Sequence, residues 1–218
     1  MSGSLAELVG AVIGDGNLWR DSRHYRIDIN GHPKLDRDYY DYLRKITRTL
    51  FDREPYVRTR KRTGSIQFRI CSKEAFRLLT EKLGLPYGRG KGQKVTIPEK
   101  FYSSWSVLMR CVRGIADTDG CFSLTQRVSG RFYPSIQIST TSANLAIQLK
   151  EILIKRGFRV YFRKQTRKKE GWNTRYCVVL SGAEMAEKWM KEIGFSNPRH
   201  IRKYDMWKKK LLKPNTKI

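Results

Sequence analysis

Hydrophobic and polar positions along this 218-residue chain switch between two periods, and the whole series of switches occurs twice. LVGAVIGDG, from Leu8 to Gly16, is apolar almost throughout, which predicts a buried helix ending at Asp-Gly. YRIDIN, from Tyr25 to Asn30, alternates with a period of two, as a strand with one buried face does. Tyr39 to Phe51 returns to helical spacing. Tyr56 to Ser72 reads as two alternating runs around a polar centre, a hairpin with its turn near Gly64, and Lys73 to Leu83 as a further amphipathic helix.

The series then returns. VRGIADTDG, from Val112 to Gly120, repeats the first run at an offset of 104, and PSIQIS, from Pro134 to Ser139, answers YRIDIN at an offset of 109. Asn144 to Phe158 parallels the middle helix, Val160 to Ser181 the hairpin, and Ala183 to Ile193 the last helix. Each half reads helix, two strands, helix, two strands, helix. The expected fold class is therefore α+β, with two pseudo-symmetric αββαββα subdomains over residues 1–104 and 105–218. Between them GRGKGQ reads as a flexible loop and Pro98 as punctuation, and the Lys-rich KKKLLKPNTKI reads as a tail.

Both apolar runs carry small residues four apart, Gly10 and Gly14 in the first, Gly114 and Thr118 in the second. Such spacing lets two helices pack backbone to backbone, which would bring Asp15 and Asp119 together at two negative helix ends. Two carboxylates there repel each other and oppose both dipoles unless a cation or a proton compensates. An oxygen-ligated Mg2+ (or Mn2+) is the natural candidate, and with it comes phosphodiester hydrolysis without a covalent nucleophile. As an isolated dipeptide Asp-Gly is a common turn, so the weight lies on its duplication inside a matched repeat.

Charge narrows the substrate. Lys and Arg number 45 against 20 Asp and Glu, a formal net charge of +25 with pI near 10.2, and both halves are net basic. A polyanion is the expected partner. A hydrophobic content of 39% rules out a disordered basic tail and points to a folded basic surface. On the first hairpin, alternation sets Arg58, Arg60 and Arg62 on one face with Gln67 and Arg69 facing them; the second offers Arg163, Gln165, Arg167 and Arg175. Arg and Gln make bidentate contacts to guanine and adenine edges, and a two-stranded ribbon fits the major groove, so double-stranded DNA is the expected ligand. Lys168 and Lys169 are expected to touch phosphates. Tyr39, Tyr40, Tyr42, Phe76, Trp105, Trp189 and Trp207 fall on helical spacings and are assigned to the core.

The paired motifs resemble the LAGLIDADG homing endonuclease family in its single-chain, two-motif form. LVGAVIGDG keeps the leading Leu, the third-position Gly and the closing Asp-Gly; VRGIADTDG keeps the Gly, the sixth-position Asp and the Asp-Gly. Ile13 stands where the family has Asp, Gly14 and Thr118 where it has Ala, and Arg113 where it has the second-position Ala. The resemblance implies antiparallel, saddle-shaped sheets over the DNA major groove and motif helices at the subdomain interface. It further implies a staggered double-strand cut directed by metals on Asp15 and Asp119, with the backbone carbonyls of Gly14 and Thr118 assisting. A basic residue beside each metal site would be Lys94 and Lys203, and a water-holding polar residue Asn30 and Thr140.

A competing reading keeps the scaffold as a non-catalytic nucleic-acid binder, an intron RNA maturase or a transcription factor; a basic ribosomal protein explains the charge but not the motifs. Scattered Cys71, Cys111, Cys121 and Cys177 form no zinc pattern and read as reduced, mostly buried thiols. With no membrane-length apolar run and no signal-peptide pattern, an intracellular protein is expected, and a monomer because the two fused halves supply in one chain what a symmetric dimer supplies in two.

Overall fold

The computed structural model describes residues 1–61, 63–126, 132–166 and 173–212, with residues 211 and 212 described by backbone only. Arg62, Arg167, Lys168 and Lys169 lie outside the described residues.

The first half runs α1 (Gly3–Asp15), β1 (Gly16–Arg20), β2 (Tyr25–Gly31), α2 (Arg37–Phe51), β3 (Tyr56–Thr59), β4 (Ile66–Cys71) and α3 (Lys73–Arg77), which continues as a π turn over Leu78–Lys82. The second runs α5 (Trp105–Asp119), β5 (Gly120–Gln126), β6 (Phe132–Thr140), α6 (Ala143–Lys155), β7 (Val160–Gln165), β8 (Arg175–Ser181) and α7 (Ala183–Glu192). Two antiparallel sheets result, in the orders β1-β2-β4-β3 and β5-β6-β8-β7. Alternation decides their faces. Ile27, Ile29, Phe68 and Ile70 point into the core of the first sheet, Ile136, Ile138, Val178 and Leu180 into that of the second, leaving one open face on each. The first hairpin turns at Gly64, whose φ of 62° is the left-handed conformation glycine adopts without penalty.

Helix α1 is buried from Leu5 to Ile13, and Ser2 caps its start by accepting from the Leu5 amide at 3.2 Å. Its partner is α5. A Cβ on Gly10 would stand 2.2 Å from the Cys111 carbonyl oxygen, and one on Gly114 would stand 2.2 Å from the Glu7 carbonyl oxygen. Cys111 and Glu7 occupy the same place in the two motifs, so these contacts are related by a pseudo-two-fold axis between the helices. Gly14 and Thr118 face each other across it, with a Gly14 Cβ falling 2.1 Å from Thr118 Oγ1. Gly16 and Gly120 have extended backbone rather than a turn; a Cβ there would meet the Val12 oxygen at 2.4 Å and the Ala116 oxygen at 2.2 Å. Asp-Gly ends each helix because the strand must leave close against the helix.

Two expectations change at the connections. The stretch after Gly88 is built structure: α4 (Lys91–Lys94) and a 3-10 turn (Glu99–Ser103) surround buried Val95, Ile97 and Phe101. Ser142 donates to the Val95 oxygen at 2.7 Å, and Gln148 accepts from the Ile97 amide at 2.8 Å, so the connection is stitched to α6. The basic tail is likewise helical as far as it is described, as the end of α8 (Pro198–Leu212), whose Trp207 is buried. Tyr39, Tyr40, Phe76 and Trp189 are buried and Tyr42 and Trp105 half-buried, in line with their assignment to the core. Cys111 and Cys177 are buried, but Cys71 and Cys121 are exposed on the open strand faces. No helix among the described residues is long and apolar enough to cross a membrane.

Candidate metal centre and nucleic-acid interface

The α1–α5 contact delivers Asp15 and Asp119 to one place. Asp15 is exposed at the end of α1, yet the surrounding protein raises its pKa to about 6, chiefly by desolvation. Half-buried Asp119 is raised to about 7, first by desolvation and then by the charge of Asp15. Gly14, Thr118, Asp119, Thr140 and Arg175 line one open cleft together with Gly92, Ser139 and Thr141. The available donors are carboxylate and carbonyl oxygens, with no thiolate or imidazole, a set suited to a hard divalent ion. Among the described residues no three His, Cys, Asp or Glu side chains gather, so an ion here must complete its shell with carbonyls, water or a phosphate.

The cations beside the acids are not the expected ones. Lys94 is exposed at the far end of α4, while Lys91, at its start, donates to the Val12 oxygen at 3.1 Å. Burial lowers the Lys91 pKa to about 8, against the pull of Asp119 and Asp15. Lys203 is exposed on α8; Arg199, near its start, donates through Nη2 to the oxygens of Asp117 and Thr118, both at 3.1 Å. Lys91 thus engages the last turn of α1 and Arg199 the last turn of α5, each a cation at a negative helix end. The Thr118 oxygen keeps a second lone pair for a metal.

Arg199 is itself held. Its Nη1 lies 3.1 Å from Asp36 Oδ1, and Asn197 Nδ2 donates to the same oxygen at 2.8 Å and to the Asp117 oxygen at 3.1 Å. The Asp117 carboxyl, at the sixth motif position, accepts the Ser196 and Asn197 amides at 3.0 and 2.9 Å; burial raises its pKa to about 8. Fully buried Glu7 is met by Ser196, by Arg110 at 3.2 Å and by Arg113 at 3.8 Å. This network ties the segment after α7 to the first half. Its one sequence signal is Asn197-Pro198, which marks a helix start.

Register corrects one pairing of water-holding candidates. Gly16 opposes Ile29 and Gly120 opposes Ile138, so the counterpart of Asn30 is Ser139, and Thr140 corresponds to Gly31. Asn30 is half-buried and accepts from Gln67 at 3.4 Å; Thr140 accepts from the Ser142 amide at 3.1 Å.

Of the base-reading candidates, Arg58 is on the open face opposite Gln67, and its Nε and Nη2 donate to the Gln67 oxygen at 3.3 and 3.2 Å. Gln67 is only 1% exposed and spends its amide on Arg58 and Asn30, so it positions Arg58 and presents no edge of its own. Arg60 lies past the strand end, its amide donating to the Ser65 oxygen at 2.8 Å. Arg69 is gripped by Asp28 at 2.6 and 2.9 Å. Arg163 opposes Cys177, and Gln165 opposes Arg175 at the Asp119 end of the second sheet.

The raised acids make stability pH-dependent with a definite sign. Asp15, Asp119 and Asp117 hold protons in the folded state that the unfolded chain releases above about pH 4. The metal-free protein should therefore lose stability as pH rises from about 4 to about 8, the loss being partly offset below about pH 6.5 by buried His200, whose pKa is lowered to about 3 and whose contribution runs the other way. In melts with a chelator we expect a lower melting temperature at pH 8 than at pH 5, by a few degrees, given about 2–4 °C per kcal/mol for a chain of this size. Ca2+ should recover it at pH 8 and do little at pH 5, because a metal competes with protons for the same oxygens. A melting temperature that climbs with pH in chelator would contradict the assignment.

Comparison with known proteins gives this geometry a family. Residues 106–194 match the family model of the LAGLIDADG-like domain. The chain is 31% identical over 200 residues to the replication factor C small subunit of Methanocaldococcus jannaschii and 31% over 218 to that of Thermococcus kodakarensis. Those stretches cover 91% and 98% of this chain but only 10% and 22% of the two relatives. The fold is shared with I-DmoI in complex with DNA and Ca, at a TM-score of 0.62, 14% identity, and coverage of 94% of this chain and 97% of that one. It is shared also with the meganuclease I-SmaMI bound to uncleaveable DNA, at a TM-score of 0.61, 14% identity and coverage of 94% and 89%. The family model marks residues 106–194 as a LAGLIDADG-like domain, and with a motif helix in each half and this fold over nearly its whole length the chain has the single-chain, two-motif LAGLIDADG fold.

Proposed function

We propose that this chain is a site-specific DNA endonuclease that lays the open faces of its two sheets along a long, asymmetric duplex and hydrolyses both strands with Mg2+ or Mn2+. The observation that carries the reading is the convergence of Asp15 and Asp119 at the paired ends of α1 and α5, close enough for the charge of Asp15 to act on Asp119, with pKa values raised to about 6 and about 7 and with Lys91, Arg175 and Arg199 around them. Binding alone gains nothing from two acids held at a cost. A net charge of +25 supplies the attraction to phosphate. Solved structures sharing the fold are described as homing endonucleases with DNA and with Mn, Mg or Ca, which supports the same reading.

A divalent ion bound at the acids supplies charge neutralisation at the phosphate and a water of lowered pKa. The chain's own residues do the rest. Asp15, Asp119 and the backbone oxygens of Gly14 and Thr118 would hold that ion. Lys91, its pKa near 8, moves a proton close to neutral pH on the Asp119 side. Arg199, donating to the Asp117 and Thr118 oxygens, steadies the end of α5 beside Asp15. Arg175 lines the same cleft and meets a phosphate there. Both acids come from one chain, so the cleft is complete in a monomer, and two unlike halves suit an asymmetric site.

The test is a digest of a randomised duplex library with Mg2+ or Mn2+, read by sequencing both new ends. One recurrent, non-palindromic site cut on both strands is the expected result; a library that is bound but never cut would remove the nuclease reading.

A further inference from the structure

Equivalent rows of residues cross the open faces of the two sheets, and one row differs sharply in chemistry. In the first sheet it runs Tyr56, Arg69, Asp28, Asn17 across β3, β4, β2 and β1. In the second it runs Tyr161, Val179, Gln137, Cys121 across β7, β8, β6 and β5. The edge tyrosines match and are 70% and 63% exposed, so both rows end alike at the surface a duplex would meet.

Asp28 grips Arg69 from the side, Oδ1 accepting from Nε at 2.6 Å and Oδ2 from Nη2 at 2.9 Å. A guanidinium has five N–H donors, and this grip leaves both on Nη1 and one on Nη2. That remaining edge is the fork that matches guanine O6 and N7. Because Asp28 already holds the side chain, little rotamer entropy is lost when the fork meets a base. The pair is also neutral overall, which weakens its general attraction to phosphate but leaves its directional donors intact.

The equivalent position in the second sheet has none of this. Val179 has no donor, and Gln137 turns along its own strand, Nε2 donating to Ser139 Oγ at 3.0 Å. Paired methyl groups beside an exposed tyrosine suit the C5 methyl of thymine.

We propose, resting on the reading of this chain as a major-groove binder of duplex DNA, that the Arg69–Asp28 pair selects a guanine in one half of the target and that Val179 selects a thymine at the pseudo-symmetric position of the other half. Arg69 makes the contact, and Asp28 is a positioning residue that acts through it.

The experiment selects bound duplexes from a randomised library in chelator, so that nothing is cut, and sequences the pool. The wild-type pool should show a recurrent guanine in one half and a recurrent thymine at the symmetry-related position. With Asp28→Asn, the affinity ratio of guanine-bearing to guanine-lacking sites should fall about tenfold. The double change Gln137→Asp with Val179→Arg should turn the thymine preference to guanine, which tests the same idea in the other sheet independently of how Asp28→Asn folds. The proposal is overturned if Asp28→Asn leaves that ratio intact and the transplanted pair leaves the thymine, or if both variants weaken all sequences equally. A pool with no recurrent sequence at all would overturn duplex reading itself, and this assignment with it.

Discussion

Asp15→Asn and Asp119→Asn should each leave duplex binding in place and lower double-strand cleavage by about a thousandfold or more, the scale on which removing a group that stabilises transition-state charge acts. The change keeps size and one oxygen, so the α1–α5 contact survives, but it removes the charge that compensates a divalent ion. Because desolvation raises both acids, with the charge of Asp36 adding at Asp15 and that of Asp15 adding at Asp119, losing either charge should also stabilise the metal-free fold at pH 8. That opposite sign separates the catalytic assignment from a structural one: a damaged fold would melt earlier and bind less. Lys91→Met is a milder probe, since it leaves both acids standing, and it should slow cutting by about 10²- to 10⁴-fold, the range of one general acid or base. The readout is a time course on supercoiled substrate that resolves nicked from linear product, with binding measured in parallel. Cutting by either Asp variant at a rate close to that of the wild type would remove the acids from the mechanism.

The second large effect should come from Gly10 and Gly114. In each, an added Cβ would stand 2.2 Å from a backbone oxygen of the facing helix, and backbone cannot swing aside as a side-chain tip can. The helices must separate by more than an ångström along the buried axis of the molecule. Overpacking of this kind typically costs about 1–3 kcal/mol, and here each substitution should reach the upper end. Gly114→Ala should therefore lower the melting temperature by roughly 6 to 12 °C, at about 2–4 °C per kcal/mol. The double variant with Gly10→Ala should approach the whole stability of an ordinary domain, about 5–15 kcal/mol. Gly92→Ala is the control: its Cβ would meet Thr141 Oγ1 at 3.4 Å, an ordinary contact, and it should be tolerated. Thermal melts of the three variants decide the matter, and equal tolerance of Gly92→Ala and Gly114→Ala would show that the helices are not in backbone contact.

Much of this architecture is written locally. Burial of Ile27, Ile29, Phe68 and Ile70 against an open face with Arg58 and Arg69 follows from a period of two, and the buried α1 and α5 from apolar runs with small residues four apart. Duplication did the rest, because two copies of one helix that cannot be solvated alone have each other as the natural partner. Asp15 and Asp119 were therefore legible as a pair before any coordinates.

What tertiary structure alone decided are contacts whose partners lie far apart in sequence and depend on how the halves turn about their shared axis. Lys91 reaches Val12, and Arg199 reaches Asp36 and Thr118, whereas Lys94 and Lys203, in the same basic runs, are exposed. Composition cannot choose among neighbouring lysines and arginines, since a shift of three or four residues on a helix keeps the charge and changes only what the side chain meets. The match of Asn30 to Ser139 needed hydrogen-bond register, where an error of one residue exchanges the two faces of a strand. Gln67 and Arg69 alternate as base readers should, but only the cross-strand pairing shows that one is consumed by Arg58 and Asn30 while Asp28 holds the other with its outer fork free. Periodicity assigns a side chain to a face; only its neighbours on that face determine which of its hydrogen bonds remain to be made.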